Sequence, residues 1–265
     1  MSISNNMPYV EHYTIDQLHS LVGDYRRTNS YSYWIMSGVC EGKTVVDCGA
    51  GSGLCSWLAL RGGASRVIAC DISPEVCDYL RGQFQHIPQV TVVQLDLCHD
   101  DIPNGDIYIH ELVGNSLLGE GMSQIFSNMR SQGIENIYPH HARISIGSVS
   151  HDPEVPSTNC DHLLSTYSRE FTRFLSDYAW NNSLTVDYPN LIATGITYIA
   201  DVDLRKPIPQ HLRELELDGD IIWEVGFDPQ FVVSYSNINA TANNWNAKTP
   251  YAEFVKWCNI ESFGG

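Results

Sequence analysis

The stretch Val45-Val46-Asp47-Cys48-Gly49-Ala50-Gly51-Ser52-Gly53-Leu54-Cys55 decides the fold of this chain. A short apolar run ends in an acid, a turn with glycine at every second position follows, and residues 54–60 begin a helical pattern. Glycine permits such a sharp bend and lets a ligand lie against the backbone, while the following helix presents free N–H groups. The stretch predicts a strand, a nucleotide-type binding loop and a helix. An ordinary tight strand-helix turn is the alternative.

The residues around the loop narrow the choice of ligand. No lysine follows the last glycine, as a phosphate-binding loop requires, and the spacing also differs from the dinucleotide fingerprint Gly-x-Gly-x-x-Gly. Residues 66–70 form a second apolar run that ends at Asp71, where a carboxylate can accept both hydroxyls of a ribose. Acids on both sides of the loop suit the sulfonium and amino groups of S-adenosylmethionine better than a pyrophosphate. The predicted cofactor residues here are Asp47, Gly49, Gly51, Gly53 and Asp71.

Composition excludes several classes of partner. The 265 residues carry a formal net charge of −16, which argues against nucleic acid or an anionic membrane and favours a cationic substrate. No apolar run approaches the roughly 20 residues of a membrane span, and the polar start lacks the features of a signal peptide, so we expect a cytoplasmic protein. The eight cysteines contain no Cys-x-x-Cys pair, so we expect no metal site and no disulfides.

Strand and helix patterns alternate from residue 43 onward, as in a doubly wound parallel sheet. The predicted strands are residues 44–48, 67–71, 90–96, 105–110 and 142–149, and the predicted helices are residues 53–61, 74–85 and 119–131. Because ligands bind at the carboxyl ends of such strands, four acids should lie along one edge of the sheet. These acids are Asp47, Asp71, Asp96 and Glu111.

The flanking regions differ in character from this core. Residues 8–37 have a largely helical pattern, and a connector after residue 151 leads to an amphipathic helix at about residues 160–178. Short alternating runs at residues 192–201, 221–225 and 231–235 predict antiparallel strands. We expect a helical cap at residues 1–40, the parallel sheet at 41–150 and a mostly antiparallel β domain at 151–265.

Three stretches resemble cofactor motifs of the protein arginine methyltransferases. Residues 21–31, Leu-Val-Gly-Asp-Tyr-Arg-Arg-Thr-Asn-Ser-Tyr, resemble Met-Leu-x-Asp-x-x-Arg-Thr-x-x-Tyr, whose arginine, here Arg27, holds the cofactor carboxylate. Residues 45–53 resemble Val-Leu-Asp-x-Gly-x-Gly-x-Gly, and residues 62–71 resemble Ala-Gly-Ala-x-x-Val-x-Ala-x-Glu/Asp. The resemblance covers residues 20–150 well and the remainder loosely.

The resemblance implies a Rossmann-like class I methyltransferase sheet with N-terminal helices and a reduced, barrel-like β domain at the C-terminus. It also implies S-adenosylmethionine as cofactor and S-adenosylhomocysteine as product. The family places an acid near the adenine at the position of Asp96, and we expect Ile72 and Leu97 to contribute to the same site.

Residues 111–122, Glu-Leu-Val-Gly-Asn-Ser-Leu-Leu-Gly-Glu-Gly-Met, resemble the double-glutamate hairpin of the family, and in particular its monomethylating branch. The resemblance implies that Glu111 and Glu120 bind the substrate and catalyse its methylation. A guanidinium has a pKa of about 12.5 to 13.8, and paired carboxylates can hold it through two hydrogen bonds and orient its reacting nitrogen. The alternative is that both glutamates are surface acids beside a helix start.

The second domain departs from the family. Residues 138–143 resemble its Phe/Val-Pro-x-Arg/His-Ala stretch, but Asn243-Asn244-Trp245 stands where the family has Thr-His-Trp. We expect Trp245 and Tyr31 to border the substrate. The chain after Glu120 is short for the family's barrel, which predicts a reduced dimerisation arm and favours a small substrate. A homodimer is the assembly that the family implies.

The sequence therefore predicts an S-adenosylmethionine-dependent N-methyltransferase that monomethylates a guanidino group, either of arginine, free or in a peptide, or of a small guanidino metabolite. One alternative is a small-molecule N- or O-methyltransferase with a non-guanidine acceptor. Another is a catalytically silent binding module, which the missing histidine favours and the intact set of cofactor residues opposes.

Overall fold

The computed structural model describes residue 18 and residues 31–112, 121–151, 191–207, 209, 220–228 and 231–236. These residues form a five-stranded parallel sheet with helices and a separate four-stranded antiparallel sheet. The predicted α/β class with a mostly antiparallel second part is confirmed. The predicted helix at residues 160–178 lies outside the described residues.

The parallel sheet has the strand order β3-β2-β1-β4-β5. Its strands are β1 (Thr44–Cys48), β2 (Arg66–Asp71), β3 (Val90–Gln94), β4 (Ile107–His110) and β5 (Ile137–Tyr138). The connecting helices are α1 (Leu54–Arg61), α2 (Pro74–Gln83) and α3 (Met122–Ser131). Helix α2 begins at a strong start signal, because the Ser73 hydroxyl accepts a hydrogen bond from the Val76 N–H and proline follows as the first helical residue.

The core lies on both faces of this sheet. Alternate residues of a strand point to opposite faces, so Val46 packs in a cluster with Phe126 and Met129 of α3, and Val45 packs with Trp57 of α1 and Leu80 of α2. All six side chains are 5% exposed or less. Strands buried on both faces read as continuous apolar runs, which is why β1 and β2 were predicted almost to the residue.

The antiparallel sheet has the order β7-β6-β8-β9. Its strands are β6 (His141–His151), β7 (Leu191–Asp203), β8 (Asp220–Asp228) and β9 (Phe231–Ser236). The assignment of residues 142–149 to the parallel sheet was wrong, because β6 pairs antiparallel with β7 and β8. Apolar residues alternate with polar ones along much of β6, a pattern typical of an antiparallel strand with one solvated face.

An aromatic cluster attaches the antiparallel sheet to the rest of the protein. Phe227 of β8 is 1% exposed, stacks on Trp34 at 4.9 Å and meets Tyr31 edge-on at 4.7 Å. Trp34 also contacts Tyr138 of β5 at 4.6 Å. Trp34 and Tyr31 lie in a helical segment at residues 31–34 that continues into a π-helical turn, Ile35–Val39. Leu18 is also helical, and the other residues predicted as helix before Tyr31 lie outside the described residues.

The ends of two strands differ from the prediction. Strand β3 ends at Gln94 instead of residue 96, and β4 begins at Ile107 instead of residue 105. Asp96 therefore lies in the turn after β3. None of the helices in the described ranges is long and apolar enough to cross a membrane.

Candidate active site

The site lies where the strand order of the parallel sheet reverses. Strand β1 pairs with β2 on one side and with β4 on the other. Strands β2 and β3 lie on one side of β1, and the chain then crosses over so that β4 and β5 lie on the other side. In open α/β sheets such a switch point leaves a crevice at the carboxyl ends of the strands. Cys48 pairs with Cys70 and with His110, so the residues that follow these three strand positions emerge side by side. They are Gly49, Asp71 and Glu111.

The glycine loop has the backbone that its sequence requires. Gly49, Gly51 and Gly53 have φ values of 76°, 49° and 82°. Residues other than glycine rarely adopt this left-handed region. The N–H groups of Gly49 and Ala50 both donate to the Cys70 carbonyl, at 2.9 and 2.8 Å, which fastens the loop to β2. Helix α1 starts directly after Gly53. The loop therefore presents its backbone to the crevice as predicted, and its contact with the cofactor stays a prediction.

Two leucines lie against the α-carbons of this loop. A Cβ on Gly49 would lie 2.7 Å from Leu112 Cδ2, and a Cβ on Gly51 would lie 3.0 Å from Leu18 Cδ2. Both distances are shorter than an ordinary van der Waals contact. The loop is consequently packed between Leu18 and Leu112, the second residue after β4.

Asp71 supports the loop from β2. Its Oδ2 accepts a hydrogen bond from the Gly51 N–H at 3.0 Å, and its Oδ1 accepts one from the Ser73 N–H at 2.9 Å. A carboxylate has about four acceptor positions, so it retains capacity for ribose hydroxyls. The half-buried Ile72 follows it, and its carbonyl accepts a bond from Gln94 at 3.3 Å. The cofactor roles of Asp71 and Ile72 stay predictions.

Asp47 is a buried carboxyl beneath the loop. It is 2% exposed, and its Oδ2 accepts a hydrogen bond from the Ser56 hydroxyl at 2.7 Å. Burial raises its pKa to about 7, with smaller contributions from the nearby charges of Asp71 and Glu111, while the hydrogen bonds from Ser56 act in the opposite direction. Three carboxyl groups thus interact electrostatically at the switch point, which disfavours further negative charge and favours a cation.

Asp96 and Leu97 lie in the turn after β3. The Asp96 carboxylate accepts hydrogen bonds from the Cys98 N–H and from His99 Nδ1, each at 2.8 Å. Burial alone raises the pKa of Asp96, but these two partners lower it below its ordinary value. Leu97 is buried, and its carbonyl accepts a bond from the Asn128 side chain. Both Asp96 oxygens are therefore used within the turn, and the expected contact with adenine stays a prediction.

Glu111 follows the last residue of β4 and is half-buried. The residue before it, His110, is fully buried, and its carbonyl accepts a hydrogen bond from the Tyr31 hydroxyl at 2.8 Å. Tyr31 is itself only 1% exposed, so the structure places it against the end of β4, where its hydroxyl is bonded to the His110 carbonyl. Its contact with substrate stays a prediction, as does the catalytic role of Glu111.

The remaining predicted site residues lie outside the described residues. They are Arg27, Glu120 and Trp245. In the part of the chain that the structure describes, no group of three or more His, Cys, Asp or Glu side chains could hold a metal ion.

Three residues that organise the site were not predicted from the sequence. Ser56 donates to Asp47, Leu112 packs on Gly49, and His110 connects to the chain on both sides of Glu111. The sequence did contain a signal for His110. It ends an apolar strand and directly precedes Glu111, which indicates a histidine buried next to the site. Ser56 and Leu112 carried no such signal in the sequence.

Comparison with known proteins gives the family context. Residues 45–131 match a family model described as a methyltransferase domain. The histone-arginine methyltransferase CARMER of Drosophila grimshawi is 24% identical over 270 residues, and that of Drosophila erecta is 28% identical over 275 residues; each match covers 93% of this chain. The chain spans about half the length of these curated relatives, 48% and 50% respectively.

Solved structures show the same fold. The Trypanosoma brucei PRMT1 enzyme-prozyme heterotetrameric complex with AdoHcy superimposes with a TM-score of 0.56 at 18% identity, covering 91% of this chain and 79% of that one. Protein arginine methyltransferase 10 of Arabidopsis thaliana gives a TM-score of 0.54 at 17% identity, with 84% and 78% covered.

These relatives confirm the resemblance to the protein arginine methyltransferases, whereas the monomethylating branch stays a prediction. Residues 45–131 thus resemble a methyltransferase domain, and the chain has the fold seen in the solved structures of protein arginine methyltransferases.

Proposed function

We propose that this chain binds S-adenosylmethionine at the glycine loop and transfers its methyl group to a guanidino nitrogen of arginine, whether free, in a peptide or in a small metabolite. The observation that carries the proposal is the position of Glu111. It emerges beside the loop at the switch point, and its charge acts on Asp47 across that crevice. An acid there suits a cationic acceptor next to a cationic methyl donor.

The described residues fit this cofactor. Gly49 and Gly51 have positive φ values and lie against Leu112 and Leu18, so the shape of the loop requires glycine at both positions. The charges of Asp71 and Glu111 both raise the pKa of Asp47, and a sulfonium or amino group nearby would relieve this repulsion. When bound, S-adenosylmethionine supplies a methyl group on a positively charged sulfur, which leaves as a neutral sulfide.

The residues of the chain then have distinct roles. Asp71 holds the ribose while it braces the loop through Gly51, and Arg27 holds the cofactor carboxylate. Asp96 and Leu97 bind the adenine, with Ile72 beside them. The roles of Arg27, Asp71 and Asp96 follow the family positions that these residues resemble, and Ile72 and Leu97 are their immediate neighbours in the sequence.

Glu111 and Glu120 hold the acceptor. Their carboxylates pair with the guanidinium, orient one nitrogen toward the methyl group and keep the positive charge on the other nitrogens. The reacting nitrogen forms a bond to carbon and loses one proton, which either glutamate can accept. Tyr31 and Trp245 border this pocket. Transfer of a single methyl group is the outcome that the form of the hairpin favours.

The direct test uses the full chain, labelled S-adenosylmethionine and a panel of acceptors. Free arginine, agmatine and an Arg-rich peptide should become labelled, and uncharged or acidic acceptors should not. Mass spectrometry of the product counts the methyl groups. If only neutral or acidic acceptors carry label, the small-molecule alternative replaces the guanidine proposal.

A matched pair of variants tests Glu111 itself. Glu111→Gln removes the charge but keeps the shape, so we expect S-adenosylhomocysteine affinity within about tenfold of wild type and a loss of about 10²-fold or more in kcat. Glu135→Gln makes the same change at an exposed position and should leave both values unchanged. If Glu111→Gln turns over as fast as wild type, Glu111 is not catalytic. If the wild-type chain binds the cofactor but methylates no acceptor, it is a silent binding module.

Assembly is a separate part of the proposal. The trypanosomal neighbour is a heterotetrameric complex. For the present chain we propose a homodimer, which light scattering coupled to size exclusion would distinguish from a monomer.

A further inference from the structure

His110 is the last residue of β4 and is 0% exposed. Both of its ring nitrogens have partners: Nε2 lies 2.6 Å from the Pro139 carbonyl, and Nδ1 lies 3.4 Å from the Leu112 backbone nitrogen. The ring also meets Phe126 edge-on at 5.1 Å. A buried imidazole with two hydrogen bonds is fixed more firmly than packing alone requires.

The partners assign the protonation state of the ring. The Pro139 carbonyl can only accept, so Nε2 carries the proton, and the Leu112 N–H can only donate, so Nδ1 presents a lone pair. Burial lowers the pKa of His110 to about 4, partly opposed by the bond to Pro139. The imidazole is consequently neutral near pH 7, and it keeps one donor and one acceptor in fixed directions.

This arrangement fastens the backbone on both sides of Glu111. The bond from Leu112 to the His110 ring spans Glu111, and the Leu112 side chain lies against Gly49 of the cofactor loop. On the other side, the His110 carbonyl accepts the Tyr31 hydroxyl. Glu111 is the residue between these two fixed neighbours, so its backbone has little freedom to rotate.

We propose that His110 is a positioning residue that holds the Glu111 carboxylate in place for the methyl acceptor, a role that rests on the function proposed above. His110 touches neither donor nor acceptor and acts through the turn that it forms with Leu112. Its loss should therefore lower kcat and leave substrate and cofactor binding nearly unchanged, because misplacement of a reacting group costs rate more than affinity.

Three substitutions separate the contacts of the ring. His110→Asn places an oxygen near the position of Nδ1 and can accept from Leu112 but cannot reach Pro139. His110→Gln is longer and can donate to Pro139 but has no acceptor near Leu112. His110→Phe keeps the packing on Phe126 and loses both hydrogen bonds. His86→Asn, at an exposed histidine, is the control.

We measure kcat and KM for the best guanidine acceptor, S-adenosylhomocysteine affinity and thermal unfolding for each variant. We expect kcat at least tenfold below wild type for His110→Phe and His110→Gln and within about threefold for His110→Asn. KM and cofactor affinity should stay within about threefold throughout. Rescue by Asn but not by Gln is an effect that a role in packing alone would not produce.

The failures are distinguishable. An active wild type with an equally active His110→Phe overturns the role of His110 and leaves the proposed function intact. Should His110→Phe not fold, the other two variants decide, because equal kcat values for Asn and Gln, or a higher value for Gln, also overturn the role. A wild-type chain that methylates no guanidine overturns the proposed function and this role with it.

Discussion

Leu112 Cδ2 lies 2.7 Å from the point where a Cβ on Gly49 would be. This contact connects the glycine loop to the residue that follows Glu111, so the two parts of the candidate site are in direct van der Waals contact. Gly49 also has a φ of 76°. The position therefore excludes other residues for two independent reasons, backbone conformation and the space taken by Leu112.

Gly49→Ala should lower both stability and turnover. The strained φ costs about 1 to 2 kcal/mol, and the added methyl group must displace Leu112 and with it the backbone of Glu111. We expect kcat to fall about tenfold or more, measured with the acceptor of the wild-type assay, and the urea midpoint to decrease.

Substitutions at two further glycines separate the effect of the positive φ from the effect of the contact with Leu112. Gly133 has a φ of 72° with nothing near its Cβ position, so Gly133→Ala should reproduce the loss of stability without the loss of kcat. Gly82 lies in α2 with open space and no positive φ, so Gly82→Ala should stabilise the protein by about 0.5 to 1 kcal/mol. A Gly49→Ala variant with unchanged kcat would show that Leu112 does not transmit the displacement to the site.

Asp47 should make the unliganded protein less stable as the pH rises. Folding raises its pKa from 3.8 to about 7, so the folded chain holds this proton more tightly than the unfolded chain. The free energy of unfolding therefore decreases between these two pH values, by up to about 4 kcal/mol from this group. Asp47→Asn cannot titrate and should lack that decrease.

Urea unfolding of wild type and Asp47→Asn across this pH range tests the prediction, and the quantity compared is the difference between their free energies of unfolding. Wild type minus Asp47→Asn removes the contribution of all other groups, and the difference in unfolding free energy should shift in favour of the variant as pH rises. Parallel curves for the two proteins would mean that Asp47 titrates near its ordinary pKa.

Asp71→Asn should weaken cofactor binding. The carboxylate accepts from both Gly51 and Ser73, and an amide has only one oxygen for these two N–H groups. One partly buried bond that braces the loop is lost, and the amide is also a weaker acceptor for the proposed ribose hydroxyls. A hydrogen bond to a charged group is worth about 1.5 to 3 kcal/mol, which corresponds to a roughly 10- to 100-fold weaker affinity for S-adenosylhomocysteine.

Calorimetric titration measures this change, with Asp78→Asn as the control. Asp78 pairs with Arg81 on the exposed side of α2, so its substitution should leave the affinity unchanged. Equal affinities for the Asp71 variant and wild type would remove Asp71 from the cofactor site.

Phe227→Ala should destabilise the attachment of the antiparallel sheet. The side chain is 1% exposed between Trp34 and Tyr31, and removal of such a ring costs about 3 to 5 kcal/mol. Tyr198→Ala removes a ring that is 57% exposed on β7 and should change stability by about 0.5 kcal/mol or less. Equal urea midpoints for the two variants would show that Phe227 does not attach the sheet.

Part of this architecture could be predicted because the relevant forces are local. The continuous apolar runs of β1 and β2 and the glycine spacing between them require only neighbouring residues for their interpretation. The error at β6 was avoidable, because its alternation already differed from those runs. By contrast, Tyr31 and His110 are 79 positions apart, so the burial of the Tyr31 hydroxyl against the His110 carbonyl follows from tertiary packing that no local pattern encodes.

Strand β5 contributes only two residues, Ile137–Tyr138, to the edge of the parallel sheet, and proline follows them. An exposed sheet edge is a template on which strands of other molecules can assemble, and its hazard grows with the number of free N–H and C=O groups in a row. Here that row is too short to pair with a strand of another molecule, and Pro139 has no N–H to extend it. The Pro139 carbonyl, moreover, is occupied by His110. Among the described strands, the edge at β5 therefore offers few free backbone groups in a row, and one of the carbonyls next to it is already bonded to His110, the residue proposed to position Glu111.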